Sequence, residues 1–457
     1  MKNSYQFIII LLVMLIIRSL FFQPPNSIAE NRLSPKPEIS SPLSLESCIA
    51  AALKNNPNIK AEESEAKAAT DEKDIAKSSR LPLVQIKGTG GRYLDDQRLI
   101  PARSNGEAGV FSPDIGDIGL VLKIPLFSGG KIINSIKASE LNESAFIYRL
   151  SRSKQELIFN VTSIYYTILG REKQLESLLF SLDVLKNDRK RINALIEVQK
   201  AARVDLLRMD VRLAKVEQAK VKVVNEINLA WRILYNLMGI RTKCDNVCPK
   251  LKALLTPVPP IPDPANAFES ALKNRPDLLA KQAQVQAQSY RVNAARGERL
   301  PQIQIEGSYG YRFASNASSQ PDNTDTAEDR GVIGLNLEIP VFDGGRITSQ
   351  INRDNHKYLA IKEELNGLSL QIQKEVESAM FSMQSALQRV NTQETAITQA
   401  KEALRIEQEK YALGKGTILD VLDAQNALLE IETEYYQALA EYHISIAQFR
   451  LATGEIL

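Results

Sequence analysis

The chain has 457 residues, with 57 Lys and Arg against 54 Asp and Glu for a formal net charge of +3, 6% aromatic residues and 22 glycines. So even a balance excludes a nucleic-acid binder that works through a basic face. The crowding of Ala, Leu, Gln, Glu, Lys and Arg into long stretches is the composition of long helices and coiled coils.

In chain order, residues 1–29 read as a signal peptide. Lys2 precedes an apolar run over 7–17, and Ser27-Ile28-Ala29 offers small residues at the spacing a signal peptidase reads, so cleavage after Ala29 is expected. Arg18 stops the apolar run short of the roughly 20 residues that a membrane-spanning helix needs. From residue 30 the chain is written twice. Leu53-Lys54-Asn55-Asn56-Pro57 returns as Leu272-Lys273-Asn274-Arg275-Pro276, and Leu81-Pro82 returns as Leu300-Pro301, an offset of about 219 residues. Ile124-Pro125-Leu126-Phe127-Ser128-Gly129-Gly130 returns as Ile339-Pro340-Val341-Phe342-Asp343-Gly344-Gly345 after about 215 residues, so one loop has shortened in between. The first repeat is expected over 30–248 and the second over 265–457. A linker at 249–264 separates them, where Pro257, Pro259, Pro260, Pro262 and Pro264 exclude both helix and central strand.

Each repeat reads in one order: a helix of about 23 to 30 residues, a strand, a polar loop, a strand, a helix of nearly 70 residues, a break and a helix of about 35. Strands are expected at about 83–93 and 117–125, then at about 302–313 and 331–340. Ile303, Ile305, Tyr309, Tyr311 and Phe313 alternate with Gln302, Gln304, Glu306, Ser308 and Arg312, a period of two with one apolar and one polar face. Ile333, Leu335 and Leu337 alternate likewise with Gly334, Asn336 and Glu338, and Ile118, Leu120, Leu122 and Ile124 with Asp117, Gly119 and Lys123. The strand over 83–93 is weaker, interrupted by Gly88, Gly90 and Gly91. Lengths of 9 to 13 residues suit outer-membrane strands of about 9 to 11. Four strands cannot close a barrel, so several copies are expected to pool theirs. A soluble sheet packed on the helices is the plainer alternative. In the barrel reading Lys123, Gln304, Glu306, Asn336 and Glu338 face the lumen and keep it wet.

The last helix of each repeat carries a seam spaced three and four in turn: Leu206, Met209, Leu213, Val216, Lys220, Val223, Ile227, Ala230 and Leu234, then Val421, Ala424, Leu428, Ile431, Tyr435, Ala438, Tyr442, Ser445 and Phe449. Each repeat is therefore expected to hold a two-stranded antiparallel coiled-coil hairpin, with tips at about 199–205 and 412–417. In the second tip Gly414 and Gly416 break the helix and Thr417 caps the next. Cys244 and Cys248 are placed for a disulfide closing a small loop in an exported protein, while Cys48 stands far away and no metal-ligand spacing occurs. With His356 and His443 as the whole histidine complement, no glycine-rich phosphate loop and no nucleophile motif, no enzyme and no cofactor are expected.

The duplicated layout, the Leu-Pro and Ile-Pro-Leu-Phe-Ser-Gly-Gly junctions, and the run Tyr411-Ala412-Leu413-Gly414-Lys415-Gly416-Thr417-Ile418-Leu419-Asp420-Val421-Leu422-Asp423-Ala424 resemble the TolC-type outer-membrane efflux protein family over nearly the whole mature chain. The resemblance implies a mainly α chain with a small β part. Three copies would give a shared 12-stranded transmembrane β-barrel continued by an α-helical barrel in the periplasm. It implies an exit duct for an efflux pump or type I secretion system, set in outer-membrane lipid. A periplasmic adaptor (membrane fusion) protein and an inner-membrane pump or secretion ATPase would be its partners. Carried over by position, Tyr411, Asp420 and Asp423 are gate candidates, the acids able to form a cation-attracting ring. Ala201, Ala202, Arg203 and Asp205, with Gly414, Lys415, Gly416 and Thr417, are adaptor-docking tips. Gly416 departs from the best-known member of that family, standing where an Arg completes the restraining links there, and the first tip lacks the glycines. For Asp420 and Asp423 a simple favourable interaction with the helix dipole competes. A periplasmic coiled-coil adaptor or scaffold without a pore would share the signal peptide and hairpins, but should carry one hairpin rather than a duplicated unit.

Overall fold

The computed structural model describes residues 43–99, 109–241, 251, 266–320 and 325–455. The expected signal peptide, Cys244, Cys248 and the expected linker apart from Leu251 lie outside the described residues. The chain divides into two units. In the smaller one, Leu43 and Leu251 form an isolated parallel bridge. The larger holds all the elements that follow.

The first repeat contributes α1 (Leu45–Asn55), α2 (Pro57–Ser78), β1 (Leu83–Arg98), β2 (Phe111–Ser128), α3 (Lys131–Glu197) and α4 (Arg203–Leu237). The second contributes α5 (Ala267–Asn274), α6 (Pro276–Gly297), β3 (Gln302–Ser315), β4 (Ala327–Glu338), α7 (Arg346–Ala412) and α8 (Ile418–Thr453). The single opening helix expected in each repeat is two helices. Pro57 and Pro276 lack an amide hydrogen and push Asn56 and Arg275 out of the helical region, to ψ 125° and 118°. Each proline then serves as the first residue of the next helix, where no donor is needed.

The four strands of the described residues pair antiparallel in the order β1-β2-β3-β4, and among those residues one edge each of β1 and β4 is unpaired. The strands differ from the expected limits. β1 and β2 extend to 16 and 18 residues because pairing resumes beyond an irregularity between Arg92 and Gln97, with Gln97 opposite Ser112 and Arg98 opposite Phe111. Polar residues at that outer end hide the alternation from a periodicity reading. β4 begins earlier, with Ala327 opposite Phe313, and stops at Glu338, two residues short of Pro340, which cannot donate to a ladder. At the other end of the helical connection, Gly129 and Gly130 (φ +60° and +83°) and Gly344 and Gly345 (φ +67° and +85°) turn the chain into α3 and α7 through a left-handed backbone that side chains disfavour.

Helices α3 and α7 each run 67 residues, about 100 Å at 1.5 Å per residue. α3 packs along α4 and α7 along α8, as the seams require, and α6 lies between α3 and α7. Met209, Val216, Val223, Ile227, Ala230 and Leu234 are buried in the first seam, and Val421, Ala438, Tyr442, Ser445 and Phe449 in the second. A two-stranded coiled coil is nevertheless too simple a description. α8 also packs on α3, and beside its seam it buries Leu422, Gln425, Ala440 and Ala447. Along that contact His443 stacks on Tyr166 with ring centroids 4.5 Å apart, and a side chain at Gly170 would meet the Ala440 Cβ at 2.9 Å.

The end of each hairpin is fastened to the helix break of its own repeat. In the first, Asn56 accepts hydrogen bonds from the amides of Asn58 and Ile59 and donates its side-chain amide to the Leu237 carbonyl at 2.9 Å. In the second, Arg275, 1% exposed, donates to Asp277 (2.6 Å), to Glu375 on α7 (2.6 Å) and, at 3.4 Å, to the Ala452 carbonyl at the end of α8. Arg152 on α3 adds a bond to the Leu451 carbonyl at 3.1 Å, tying the first repeat to the same place.

Candidate functional site

Two regions carry the candidate residues: the sheet, and the two hairpin tips with the helix ends beside them. In the sheet, the register places Lys123 opposite Glu306, Gln304 opposite Asn336 and Gln302 opposite Glu338, so the five expected polar residues share one face. Lys123 Nζ lies 3.4 Å from Glu306 Oε1, and Gln304 donates to Glu306 at 2.8 Å. The same register puts further charged residues on that face, beyond the five expected in the lumen. Asp117 sits in one row with Arg312 and Glu328, its carboxylate 3.9 Å from the guanidinium, while Lys87 shares a row with Arg330. Asp117, Arg312 and Lys87 lie within the expected strands, and alternation would have added Glu328 and Arg330 had β4 been read from its true start.

The opposite face is apolar and open. Val84, Ile118, Leu120, Tyr309, Ile333 and Leu335 are between 51% and 77% exposed, and among the described residues no helix packs along either face of the sheet. The soluble alternative required those side chains to be covered by helices, and they are not. A contiguous apolar face of this size marks contact with lipid or another surface. With strands of 12 to 18 residues it exceeds the tilted span of a membrane strand, about 9 to 11 residues. Among the described residues no helix is long and apolar enough to cross a membrane, and no cluster of His, Cys, Asp and Glu could hold a metal ion.

The tips are built alike from unlike residues. After α7, Gly414 adopts φ +71° and the Lys415 amide reaches back to the Lys410 carbonyl at 2.8 Å. After α3, Gln199 takes the same left-handed position at φ +60°, and the Lys200 amide bonds the Leu195 carbonyl at 2.8 Å. The lost glycines therefore leave the turn intact. The following helices start differently: Thr417 and Asp420 form a reciprocal capping box, whereas Ala202 gives α4 no side-chain cap. Ala202, Arg203, Gly414, Lys415 and Thr417 are exposed, and Ala201, Asp205 and Gly416 half-buried.

The three gate candidates have three environments. Asp420 is held at the start of its own helix by the Thr417 hydroxyl (2.7 Å) and amide (2.9 Å), which keep its carboxyl below the usual carboxylate range. Tyr411 is half-buried, and burial followed by the negative charge of Asp205 raises its phenol. Asp205, Arg191 and Asp188 all act on that phenol, so Tyr411 lies against the first hairpin. Asp423 is exposed and lines, with Leu422 on α8 and Arg208, Arg212 and Lys215 on α4, a groove of about 410 Å³. Burial lowers the Arg212 guanidinium, and Asp423 and then Glu430 act against it. The Nε of Arg212 is buried without a hydrogen-bond partner. Gln425, one turn beyond Asp420, donates to Asp188 on α3 at 3.1 Å. Asp188, Arg212 and Gln425 were missed because each reads alone as an ordinary polar residue on a helix, and only the packing of the hairpins brings them together.

A family model described as outer membrane efflux protein matches residues 48–240 and 267–455, one segment in each repeat. The chain is 24% identical over 414 residues to the outer membrane efflux protein BepC of Brucella suis biovar 1, covering 90% of this chain and 85% of that one. It is 22% identical over 410 residues to the outer membrane protein TolC of Vibrio cholerae, covering 89% of each. Among solved structures, the Campylobacter jejuni CmeC outer membrane channel matches with a TM-score of 0.77 at 18% identity, covering 90% of this chain and 85% of that one. Two hairpins, an uncovered apolar sheet and a match over both repeats leave no room for a single-hairpin adaptor. The chain belongs to the outer membrane efflux protein family, and it is a subunit of an outer-membrane exit duct for efflux or secretion.

Proposed function

We propose that three copies of the chain close into one 12-stranded antiparallel barrel, a passive conduit that carries no chemistry of its own. The observation that carries this reading is the sheet with one open apolar face and unpaired edges at β1 and β4. Because every neighbouring pair is antiparallel, β4 of one copy meets β1 of the next in antiparallel sense, and the ring closes without a mismatched seam. Unpaired backbone groups are not tolerated in hydrocarbon, so closure and insertion support each other. Lys123, Gln304, Glu306, Asn336 and Glu338 then line the water-filled lumen.

The hairpins extend the duct through the periplasm, with residues 1–29 removed on export and Cys244 bonded to Cys248. Tyr411, Asp420 and Asp423 narrow the far end. The exposed tip residues, including Arg203, Lys415 and Thr417, take the periplasmic adaptor, which with an inner-membrane pump or secretion ATPase opens the duct. The test is the mature protein purified from outer membranes in detergent. Light scattering is expected to give three copies, and planar bilayers discrete channel conductance. A monomer or dimer without conductance would sink the proposal.

A further inference from the structure

The tips have a charge pattern that the two repeats do not share. The step of about 215 residues that carries Gln199 to Gly414 also carries Arg208 to Asp423 and Lys215 to Glu430. Equivalent positions on α4 and α8 thus bear opposite charges, and Arg208, Arg212 and Lys215 line the very groove in which Asp423 stands. Arg208 shares its charge with Asp205 in its own helix, 3.9 Å away. Arg212 has no such neighbour in its helix, and the acids that act on it are Asp423 and Glu430 across the groove. A half-buried guanidinium in a site of reduced dielectric acts on a nearby carboxylate more strongly than one in bulk water.

We infer that Arg212, with Arg208 and Lys215, compensates Asp423, so that the narrow end of this duct alternates in sign from hairpin to hairpin and is not an acidic ring. The inference rests on the duct reading and on the tips being its narrowest part. Around three copies, at the level of Asp423 and Glu430, hairpins of the first repeat present basic groups where those of the second present acids, whereas Asp205 and Asp420 correspond as acids in both. At that level the ring holds no concentrated negative potential, so Asp423 neither gathers multivalent cations nor favours K⁺ over Cl⁻. The cargo that follows from this is not restricted to cations, and anionic solutes meet no barrier of like charge at the tip.

The experiment measures the K⁺/Cl⁻ permeability ratio of the purified channel in planar bilayers under a KCl gradient, with millimolar Mg²⁺ added on the tip side. The wild type is expected to pass both ions nearly equally and to resist Mg²⁺. Replacing Arg208, Arg212 and Lys215 together by Gln is expected to raise the ratio severalfold and create Mg²⁺ block, and adding Asp423→Asn to reverse both changes. Asp423→Asn alone moves selectivity the other way, towards Cl⁻, which keeps the test open if the triple variant fails to assemble. A wild type already cation-selective and blocked by Mg²⁺, or a ratio indifferent to both substitutions, overturns the inference while leaving the duct standing. A complete lack of conductance would remove the duct reading and this inference with it.

Discussion

The two repeats reach one architecture through different chemistry, and the contrast is sharpest at the tips and at the helix breaks. At the second tip the backbone is at ease: Gly414 accepts a positive φ and Thr417 with Asp420 caps the next helix. At the first tip Gln199 is forced into the same left-handed turn and Ala202 caps nothing. At the helix breaks the order reverses in cost of burial. The first repeat uses a neutral amide, Asn56, and the second a nearly buried guanidinium, Arg275, in a cluster with Asp277 and Glu375. The shape of the repeat is thus set by the turns and by hairpin packing, and the residues that fasten it were free to diverge.

The largest expected effect is at the second break. Arg275→Ala leaves a cavity, takes the cation from Glu375 and leaves Asp277 only Arg152 at 3.9 Å, and should destabilise the second repeat by about 3 kcal/mol. That is the low end for a broken buried pair, since both acids retain some water. Asn56→Ala in the first repeat should cost only about 1 kcal/mol, the value of one cap. Hydrogen exchange of α6 against α2 separates the two, and equal losses would show the ionic cluster to be no more than an elaborate cap. At the tips, Gly414→Ala should cost about 1 kcal/mol and Gln199→Gly should gain a similar amount, because only the first has a side chain placed in a left-handed turn that lacked one. Amide exchange at Lys415 and Lys200 reads this directly, and the contrast fails if both substitutions move exchange in the same direction.

The smallest effect joins the repeats below the sheet. Glu298 at the end of α6 receives Lys131 at the start of α3 (2.8 Å) and Arg346 at the start of α7 (3.3 Å). The hydrogen bond from Lys131 holds its carboxyl below the ordinary 4.5, with Arg346 adding to it. A carboxyl whose folded value is lowered stabilises fully above its unfolded value and loses that contribution as pH falls through the folded one. Melting temperature should therefore fall with pH below about 4.5 more steeply in the wild type than in Glu298→Gln. Parallel pH profiles would remove Glu298 from the account.

Much of this was legible in advance where a single element carries its own signal. The alternation from Gln302 to Phe313 needs nothing but the strand to be seen, and the returning Phe-Ser-Gly-Gly and Phe-Asp-Gly-Gly junctions need only the duplication. What stayed hidden depends on partners far away in sequence. The face of α8 bearing Gln425, Ala440 and His443 gives no sign of a partner until α3 is laid against it. Arg212 looks like a solvated helix residue until Asp423 faces it across the groove. Pro57 and Pro276 lie between the two cases: their helix-breaking effect is local and was available, but the long periodic stretch around them suggested one continuous helix.

The unpaired edges of β1 and β4 have a genetic consequence. A copy whose β1 edge has been blocked, by a proline at an outward-facing amide for instance, can still offer β4 to a neighbour and so join a ring that it prevents from closing. Mixed with normal copies it would spoil every ring it enters, so such an allele should be dominant, whereas an allele that simply unfolds its product should be recessive.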